Sequence, residues 1–295
     1  MNADGLIVVD KPAGMTSHDV VARIRRLAKT RRVGHGGTLD PMATGVLIIG
    51  VNRATRLLTY VIGARKSYSA TIRLGENTVT DDAEGDVTAV FGTGAVTDDA
   101  VRAGLAAQVG EIDQVPSAVS AIKIKGVRSY KRVRDGEAVE IPARRITVFG
   151  LDVLAIRRPE GRDVVDVDID VTCSSGTYIR AIARDLGAAL GVGGHLTALR
   201  RTAVGEMTLD AAATLAELEE RAPDVVSLPM AEAARRAFPQ RVADPEETRT
   251  LRHGGPLPAA GIDGPYAVFD PEGTLLAIVS ERDGKARAEI VLAPA

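Results

Sequence analysis

The sequence predicts an α+β protein with a mixed or antiparallel sheet, followed by a small β-rich unit at the C-terminus. Strand-like and helix-like segments are interspersed along residues 1–228 without the regular βαβ alternation of a parallel sheet. Apolar and polar residues alternate over 67–75 and 165–171, as in strands with one buried face. Prolines cluster near residue 229, and short apolar segments with Gly/Pro turns follow. We therefore expect two domains, 1–228 and 229–295.

The composition narrows the class of protein. The chain has 295 residues, 45% of them hydrophobic, which is enough for a large and a small core. Its single cysteine, Cys173, excludes an intrachain disulfide and a cysteine-based zinc site, and four scattered histidines do not suggest a metal cluster. No apolar run reaches the roughly 20 residues of a membrane span, and the N-terminus is acidic where a signal peptide is basic. We expect a cytoplasmic protein that binds neither metal nor membrane.

Charge is distributed unevenly along the chain. The formal net charge is −2, but segments 23–32 and 123–134 are strongly basic. Concentrated Lys and Arg side chains bind phosphates, so these segments predict a nucleic-acid-binding surface on one side of the protein. A solvated helix face and an exposed loop would give the same pattern, and the sequence leaves both interpretations open.

The N-terminal half begins with a strand over 6–10. Ser17 is a good N-cap for an amphipathic helix over 17–32, whose polar face carries arginines and which ends at glycines that follow. The further elements predicted here are a buried strand over 46–51, an alternating strand over 67–75, a polar loop with a short hairpin over 76–96 and a capped helix from about 97.

The C-terminal half begins with a Pro-, Lys- and Arg-rich stretch, 113–145, that predicts an excursion from the sheet. The elements predicted after it are strands over 146–156 and 163–175, helices over 177–190 and 209–221, and an all-β unit with β-like pieces at 251–257, 266–280 and 285–294.

The segment GHGGTLDPMATG, residues 34–45, has the highest density of turn residues in the chain. Its glycines allow unusual backbone conformations and close approach of another molecule, so the loop can present Asp40 and His35. Asp40 followed by Pro41 equally fits a helix N-cap with proline at the first helical position. A loop histidine such as His35 commonly contacts only solvent or backbone.

Two further segments carry candidate side chains. SSGTYIRAIARDLG puts Tyr178 and Arg180 at a strand-to-helix junction, where functional side chains are common; simple packing and a structural ion pair are the alternatives. In KSYSATIRLG, Tyr68 offers a flat ring for stacking on a base, although the alternation itself favours a core or edge tyrosine.

Together these motifs resemble the TruB family of tRNA pseudouridine synthases. The resemblance is carried by LIVVDKPAGMTSHDVV, GHGGTLDPMATGVLIIG, KSYSATIRLGENTVTDDAEGD, SAIKIKGVRSYKRVRDGEAVE, VTCSSGTYIRAIARDLG and LTALRRTAVG, in that order. It implies the pseudouridine-synthase fold, with a mixed sheet and an active-site cleft, in a catalytic domain over 1–228. It also implies an insertion near 124–150 that closes over RNA and a PUA-like RNA-binding domain over 229–295.

The resemblance also implies roles for individual residues. Asp40 matches the essential aspartate of the family, Tyr68 the tyrosine that stacks on the target uracil, and Arg180 the arginine that pairs with the aspartate. Tyr178 matches a residue of the pocket wall. His35 matches the histidine that occupies the place of the flipped base.

Three residues have supporting roles by the same resemblance. Leu199, in an LRR motif, matches an apolar wall of the pocket, and Lys11 and Pro12 form the early KP motif that supports the cleft. One departure is visible at 114–121, QVPSAVSA, where the family usually has two prolines and a tyrosine. The packing and any RNA contact of that loop are therefore in doubt.

The implied activity is cofactor-free isomerisation of the uridine at position 55 of the tRNA T-loop, with base flipping and an ionised Asp40. The expected partner is the T-arm stem-loop, and a monomer is the default. Asp40 could attack the uracil ring, attack ribose C1′ or assist removal of the 2′ proton, and the sequence does not choose among these routes. The competing hypotheses are a non-catalytic RNA-binding protein and an aspartate-nucleophile hydrolase of small substrates.

Overall fold

A computed structural model describes residues 3–118, 123–124, 127–128 and 141–293. The strands are β1 Gly5–Lys11, β2 Val33–His35, β3 Thr44–Val51, β4 Lys66–Leu74, β5 Glu76–Thr78, β6 Val87–Val90, β7 Gly110–Gln114, β8 Lys123–Ile124, β9 Val127–Arg128, β10 Arg144–Arg157, β11 Val165–Cys173, β12 Gly194–Val204, β13 Met207–Thr208, β14 Leu228–Pro229, β15 Gln240–Val242, β16 Leu257–Pro258, β17 Tyr266–Phe269, β18 Leu275–Arg282 and β19 Lys285–Val291. The helices are α1 Ser17–Leu27, α2 Leu58–Gly63, α3 Asp98–Ala106, α4 Ile179–Ala189, α5 Leu215–Glu220, α6 Met230–Ala237 and α7 Pro245–Arg252, with 3-10 helices at Asn52–Leu57 and Leu209–Ala211.

Among the described residues, ten strands form one large mixed sheet. Eight of them run in the order β14-β1-β3-β12-β4-β11-β10-β7, while β2 pairs with β3 and β13 with β12. Strands β3 and β12 are parallel where Arg200 and Arg201 face Thr44 and Gly45, whereas β4 is antiparallel to both β12 and β11. The predicted α+β class with a mixed sheet is confirmed.

Strand β1 is buried on both faces, which explains why residues 6–9 of the sequence are all apolar. Ile7 and Val9 point into one hydrophobic cluster, which contains α1 and α4, while Leu6 and Val8 point into a second cluster on the opposite face. A strand that is buried on both faces has no polar face to alternate with. On β4, by contrast, the buried residues alternate with partly exposed ones, as the sequence predicts.

Helix α1 differs from its prediction at both ends. Its N-cap is Thr16, not Ser17: the Thr16 hydroxyl accepts a hydrogen bond from the Asp19 amide, and Asp19 completes a capping box. The helix ends at Leu27 and not at residue 32, because the apolar spacing stops there and the chain turns through Lys29, whose φ is +48°. Residues Val33–His35 then join the sheet beside β3.

The C-terminal part is only partly β. The predicted β-rich character is confirmed, but the piece at 251–257 is not a strand throughout. Leu251 and Arg252 end helix α7, which Asp244 caps with a capping box, and only Leu257 belongs to a strand, β16. The predicted helix over 209–221 is shorter, a 3-10 turn followed by α5. Strands β17, β18 and β19 form where the sequence predicts them, and with β15 and β16 they make a five-stranded sheet in the order β15-β17-β18-β19-β16.

The two sheets share one hydrophobic cluster. Phe269 and Ile278 of the second sheet pack in the same cluster as Val8 and Ile48 of the first. The Arg53 guanidinium donates to the Leu292 carbonyl at 2.8 Å. Both sheets therefore contribute to a common core.

Most of the implied insertion over 124–150 lies outside the described residues, apart from short strands β8 and β9 and the residues from 141 onwards. Within the part of the chain that the structure describes, no helix is long and apolar enough to cross a membrane.

Candidate active site

The glycine-rich loop connects β2 with β3 and carries Asp40. No helix starts at Pro41: residues 40–43 make a turn, with the Ala43 amide donating to the Asp40 carbonyl at 3.1 Å. The helix-cap interpretation of the Asp-Pro pair is therefore wrong. The chain then enters β3 through Gly45, which has φ +98° and would place a Cβ 2.2 Å from the Arg201 carbonyl oxygen.

Two buried side chains fix this loop from one side. The Ser17 hydroxyl accepts from the Leu39 amide at 2.9 Å and donates to the Leu39 carbonyl at 3.2 Å. The Lys11 ammonium, fully buried, donates to the carbonyls of Met15 at 2.7 Å and Pro41 at 3.1 Å. Burial lowers the pKa of Lys11 to about 8. These contacts tie the residues on both sides of Asp40 to β1 and α1.

Arg201 fixes the loop from the other side. Its side chain is buried in β12 and donates to the carbonyls of Val46 at 2.7 Å, Gly37 at 3.2 Å and Thr38 at 3.4 Å. One guanidinium thereby joins the start of β3 to the residues that lead into Asp40.

Asp40 faces a cavity of about 240 Å³ between the loop, β4, β12 and the start of α4. Four other candidate residues from the sequence also line it, namely Tyr68, Tyr178, Arg180 and Leu199. The complete lining is Gly37, Thr38, Leu39, Asp40, Ile62, Lys66, Tyr68, Ser175, Gly176, Thr177, Tyr178, Ile179, Arg180, Leu199 and Arg201.

Three charged side chains, those of Asp40, Arg180 and Asp82, contact one another at this cavity. Arg180 Nε lies 3.1 Å from Asp40 Oδ2, and a second guanidinium nitrogen lies 3.3 Å from Oδ1. The same guanidinium contacts Asp82 Oδ2 at 3.2 Å and donates to the Thr80 carbonyl at 2.7 Å. The side chains of Arg180 and Asp82 are 5% and 3% exposed, whereas that of Asp40 is 34% exposed. Of the two carboxylates that Arg180 contacts, Asp40 is therefore the one that a ligand can reach.

Burial raises the pKa of Asp40 above its ordinary value, because the cavity wall replaces water around the carboxylate. The positive charge of Arg180 lowers the pKa, while the negative charge of Asp82 raises it further. The net direction is upward, so Arg180 limits the rise but does not cancel it. This arrangement gives a carboxylate that is more basic than one in water.

Part of the cavity wall is aromatic and apolar. Tyr68 is 8% exposed and Leu199 7% exposed, and they stand on the neighbouring strands β4 and β12. Burial raises the pKa of the Tyr68 hydroxyl, so this ring stays neutral. Lys66 is held to the Ile62 and Ala64 carbonyls at 2.8 and 3.1 Å.

Tyr178 is the N-cap of α4, but no side-chain hydrogen bond caps the helix. Gln114, the last residue of β7, bonds instead to its backbone: the Tyr178 amide donates to Oε1 at 2.8 Å, and Nε2 donates to the Tyr178 carbonyl at 3.1 Å.

Two candidate residues do not line the cavity. Lys11 is directed at backbone carbonyls, as described above. His35 lies in β2, where its ring contacts His18 edge to face with centroids 5.2 Å apart. Burial lowers the pKa of His35.

Sequence reasoning missed Ser17, Gln114, Asp82 and Arg201. The sequence indicates only a helix cap for Ser17, and Asp82 lies among several acidic residues of a polar loop, which gives no signal that singles it out. Arg201 stands two residues after Leu199 in the LRR motif, and that motif is the one signal that could have identified it.

Three family models match the chain in order. One described as "TruB family pseudouridylate synthase (N terminal domain)" covers residues 25–179. One described as "tRNA pseudouridylate synthase B C-terminal domain" covers 180–225, and one described as "tRNA Pseudouridine synthase II, C terminal" covers 238–293.

Individual proteins agree with these matches. The tRNA pseudouridine synthase B of Arthrobacter sp. is 55% identical over an alignment 299 positions long. The alignment covers 98% of this chain and 97% of the relative. In the archaeal box H/ACA sRNP Nop10-Cbf5 complex, a chain superposes with a TM-score of 0.71 at 27% identity, covering 98% of this chain and 86% of that one. An H/ACA RNP bound to a substrate RNA containing 2′-deoxyuridine gives the same TM-score and identity over 98% and 85%.

The fold and these relatives define a pseudouridine synthase, an isomerase that acts on RNA. The chain belongs to the TruB family, and its activity is the isomerisation of uridine to pseudouridine in tRNA. The hypotheses of a small-substrate hydrolase and of a purely binding protein are therefore wrong.

Proposed function

We propose that the enzyme modifies the uridine at position 55 in the T-loop of tRNA and that Asp40 is its catalytic carboxylate. The observation that carries this proposal is the accessible Asp40 carboxylate, held by Arg180 in a small cavity with an aromatic wall. A pocket of this kind receives a single flipped base, which is recognised by stacking and by polar groups at its edge.

In this reaction the bond from N1 to C1′ breaks and a bond from C5 to C1′ forms. The proton on C5 is lost and N1 gains one, so no oxidant or reductant is consumed. Asp40 acts in its ionised form, whether on the uracil ring, at ribose C1′ or on the 2′ proton. Its raised pKa makes it a better base and nucleophile, and Arg180 keeps enough of it ionised.

The remaining wall residues bind the base. Tyr68 stacks on the uracil ring, Leu199 provides an apolar contact, and Tyr178 closes the pocket beside Arg180. His35 contacts RNA next to the cavity, at the position that the flipped base leaves. Lys11 supports the loop from behind.

The T-arm stem-loop is the proposed partner. Arg25, Arg26, Lys29, Arg31 and Arg32 are exposed along the end of α1 and the turn after it, which suits contact with the phosphates of an RNA stem. The proposed working unit is a monomer, because a single chain supplies the cavity lining named above. Since the substrate is tRNA, the proposed site of action is the cytoplasm.

We also propose that the chain is organised as a catalytic domain, 1–228, and a PUA-like RNA-binding domain, 229–295. The five-stranded sheet of β15–β19 supports the second unit. It docks through the shared cluster around Phe269, so RNA bound along both units meets a fixed surface.

Release of tritium from tRNA labelled at uracil C5 tests this proposal. Wild type should release one tritium for each modified position 55, and a transcript with cytidine at that position should release none. Asp40→Asn should be inactive yet bind RNA, while Asp152→Asn, at an exposed position on β10, should be fully active. Full release by Asp40→Asn, or release from another T-loop position, would overturn the assignment.

A further inference from the structure

The side chain of Gln114, at the end of β7, is hydrogen-bonded to the backbone at the start of α4. The residue is 2% exposed, and both polar atoms of its side-chain amide are hydrogen-bonded to one residue, Tyr178, at 2.8 and 3.1 Å. A primary amide can donate and accept in this way, so a single side chain reproduces the hydrogen-bond pattern of a neighbouring strand.

The residue held by this contact begins the helix that carries the cation of the active site. Tyr178 is the N-cap of α4 and lines the cavity, and Arg180 follows two residues later. The first turn of a helix has amide groups without partners in the helix. The orientation of this turn, and with it the direction in which Arg180 extends towards Asp40, depends on what holds Tyr178.

A second contact ties the same segment to α4. The Arg184 guanidinium donates to the Val115 carbonyl at 2.7 Å. Residues 114–115 therefore contact α4 at Tyr178 and again at Arg184. From here the chain continues into residues 119–140.

We infer that Gln114 is a positioning residue for catalysis: its amide sets the first turn of α4 so that Arg180 meets Asp40 and Tyr178 faces the base. This inference rests on the proposed roles of Asp40 and Arg180. It also means that a displacement of segment 114–118 would be transmitted directly to the Asp40–Arg180 pair.

The first test compares Gln114→Ala with Gln108→Ala. Gln108 is a matched control, because its Nε2 also donates to the backbone of α4, at the Ile182 carbonyl, 3.2 Å away and beyond Arg180 in the helix. We expect Gln114→Ala to lower kcat by about 10- to 100-fold, the effect of a small misplacement of reacting groups. RNA affinity should be unchanged, and Gln108→Ala should retain wild-type kcat.

The second test uses Gln114→Glu and the pH dependence of kcat. At neutral pH the introduced carboxylate accepts from the Tyr178 amide but cannot donate to the Tyr178 carbonyl, and the two oxygens repel. When protonated, the carboxyl donates and accepts like the native amide. The ratio of variant to wild-type kcat should therefore rise as the pH falls, starting above the ordinary Glu pKa because the group is buried.

Equal kcat in Gln114→Ala and Gln108→Ala, or a ratio for Gln114→Glu that does not change with pH, would overturn the inference. If Gln114→Ala fails to fold, the pH ratio of Gln114→Glu decides alone. Failure of the proposed catalytic site is a separate result, since it would appear as activity in Asp40→Asn whatever the Gln114 variants do.

Discussion

At the scale of single residues, Arg180 holds two carboxylates with one guanidinium. Its planar guanidinium reaches Asp40 through Nε and Nη2, and Asp82 through Nη1. A lysine in the same place would offer a single point charge and could not span both carboxylates. The geometry of the guanidinium, and not only its charge, keeps the pKa of Asp40 from rising further.

Arg180→Lys should move the acidic limb of the kcat–pH profile to higher pH. In the proposed mechanism activity needs ionised Asp40, whose pKa is raised by burial and is limited by the positive charge of Arg180. A weaker contact raises that pKa, so activity is lost earlier as the pH falls. We expect the limb to move to higher pH, as the loss of a close opposite charge raises the pKa of a carboxylate; tritium release measured between pH 5 and 9 checks this.

Arg73→Lys is the control for this substitution. Arg73 makes an equally bidentate pair with Asp166, at 2.8 Å for both nitrogens, but away from the cavity. Its pH profile should coincide with that of wild type. A displacement of the limb to lower pH in Arg180→Lys, or the same displacement in both variants, would contradict the assigned role.

Two Asp-Pro pairs show how far local sequence predicts structure. At Asp244-Pro245 the third helical residue is Glu247, the capping box closes, and a helix forms. At Asp40-Pro41 that position is Ala43, and β3 begins one residue later. Local signals therefore distinguish the two pairs. The partner of Asp40 could not be predicted in this way, because Arg180 is 140 positions away in the chain, and only the family motifs connect the two residues.

At the scale of elements, the start of α1 fixes the loop that carries Asp40. Ser17 lies in the first turn, and its hydroxyl serves both the amide and the carbonyl of Leu39, the residue before Asp40. The sequence correctly indicates a helix start here, but assigns the cap to Ser17 in place of Thr16. The tertiary contact of Ser17 could not be read from spacing, because its partner lies on another element.

Ser17→Ala should reduce both stability and turnover. It leaves the buried Leu39 amide without its acceptor, which costs about 1–3 kcal/mol, and it loosens the loop that presents Asp40. Thr16→Ala removes the helix cap at a similar cost of about 0.5–2 kcal/mol, without touching the loop. Urea unfolding and steady-state kinetics of both variants compare the two effects.

The contrast between the two substitutions is the decisive result. Thr16→Ala should unfold at a lower urea concentration with kcat intact, whereas Ser17→Ala should lose kcat under conditions where it is fully folded. If both variants keep wild-type kcat, the loop does not depend on the Ser17 contact.

At the scale of the whole molecule, the two sheets unfold together if their common core holds them as one unit. Phe269 is 2% exposed and belongs to the cluster that also contains Val8 and Ile48. The fold class and most strands were predictable from alternation, but this docking was not, because the prolines near residue 229 indicate a boundary and say nothing about contact across it.

Phe269→Ala should therefore destabilise both sheets. Removal of a buried phenylalanine costs about 3–5 kcal/mol, and the loss should appear as faster hydrogen exchange in β1 and β3 as well as in β17 and β18. Phe149→Ala is the control, because that ring is 43% exposed and lies against Arg65; its exchange rates should match wild type. Two separate unfolding transitions, of which only one moves, would contradict a shared core.

Gly45 lies so close to the Arg201 backbone that position 45 has no room for a side chain. The glycine stands where β3 meets β12 in parallel, and any side chain at that point would collide with a main-chain oxygen 2.2 Å away. Such a collision would separate β3, which follows Asp40, from β12, which carries Leu199. A single missense change at codon 45 should therefore abolish the modification of tRNA without altering any residue that is proposed to touch the base.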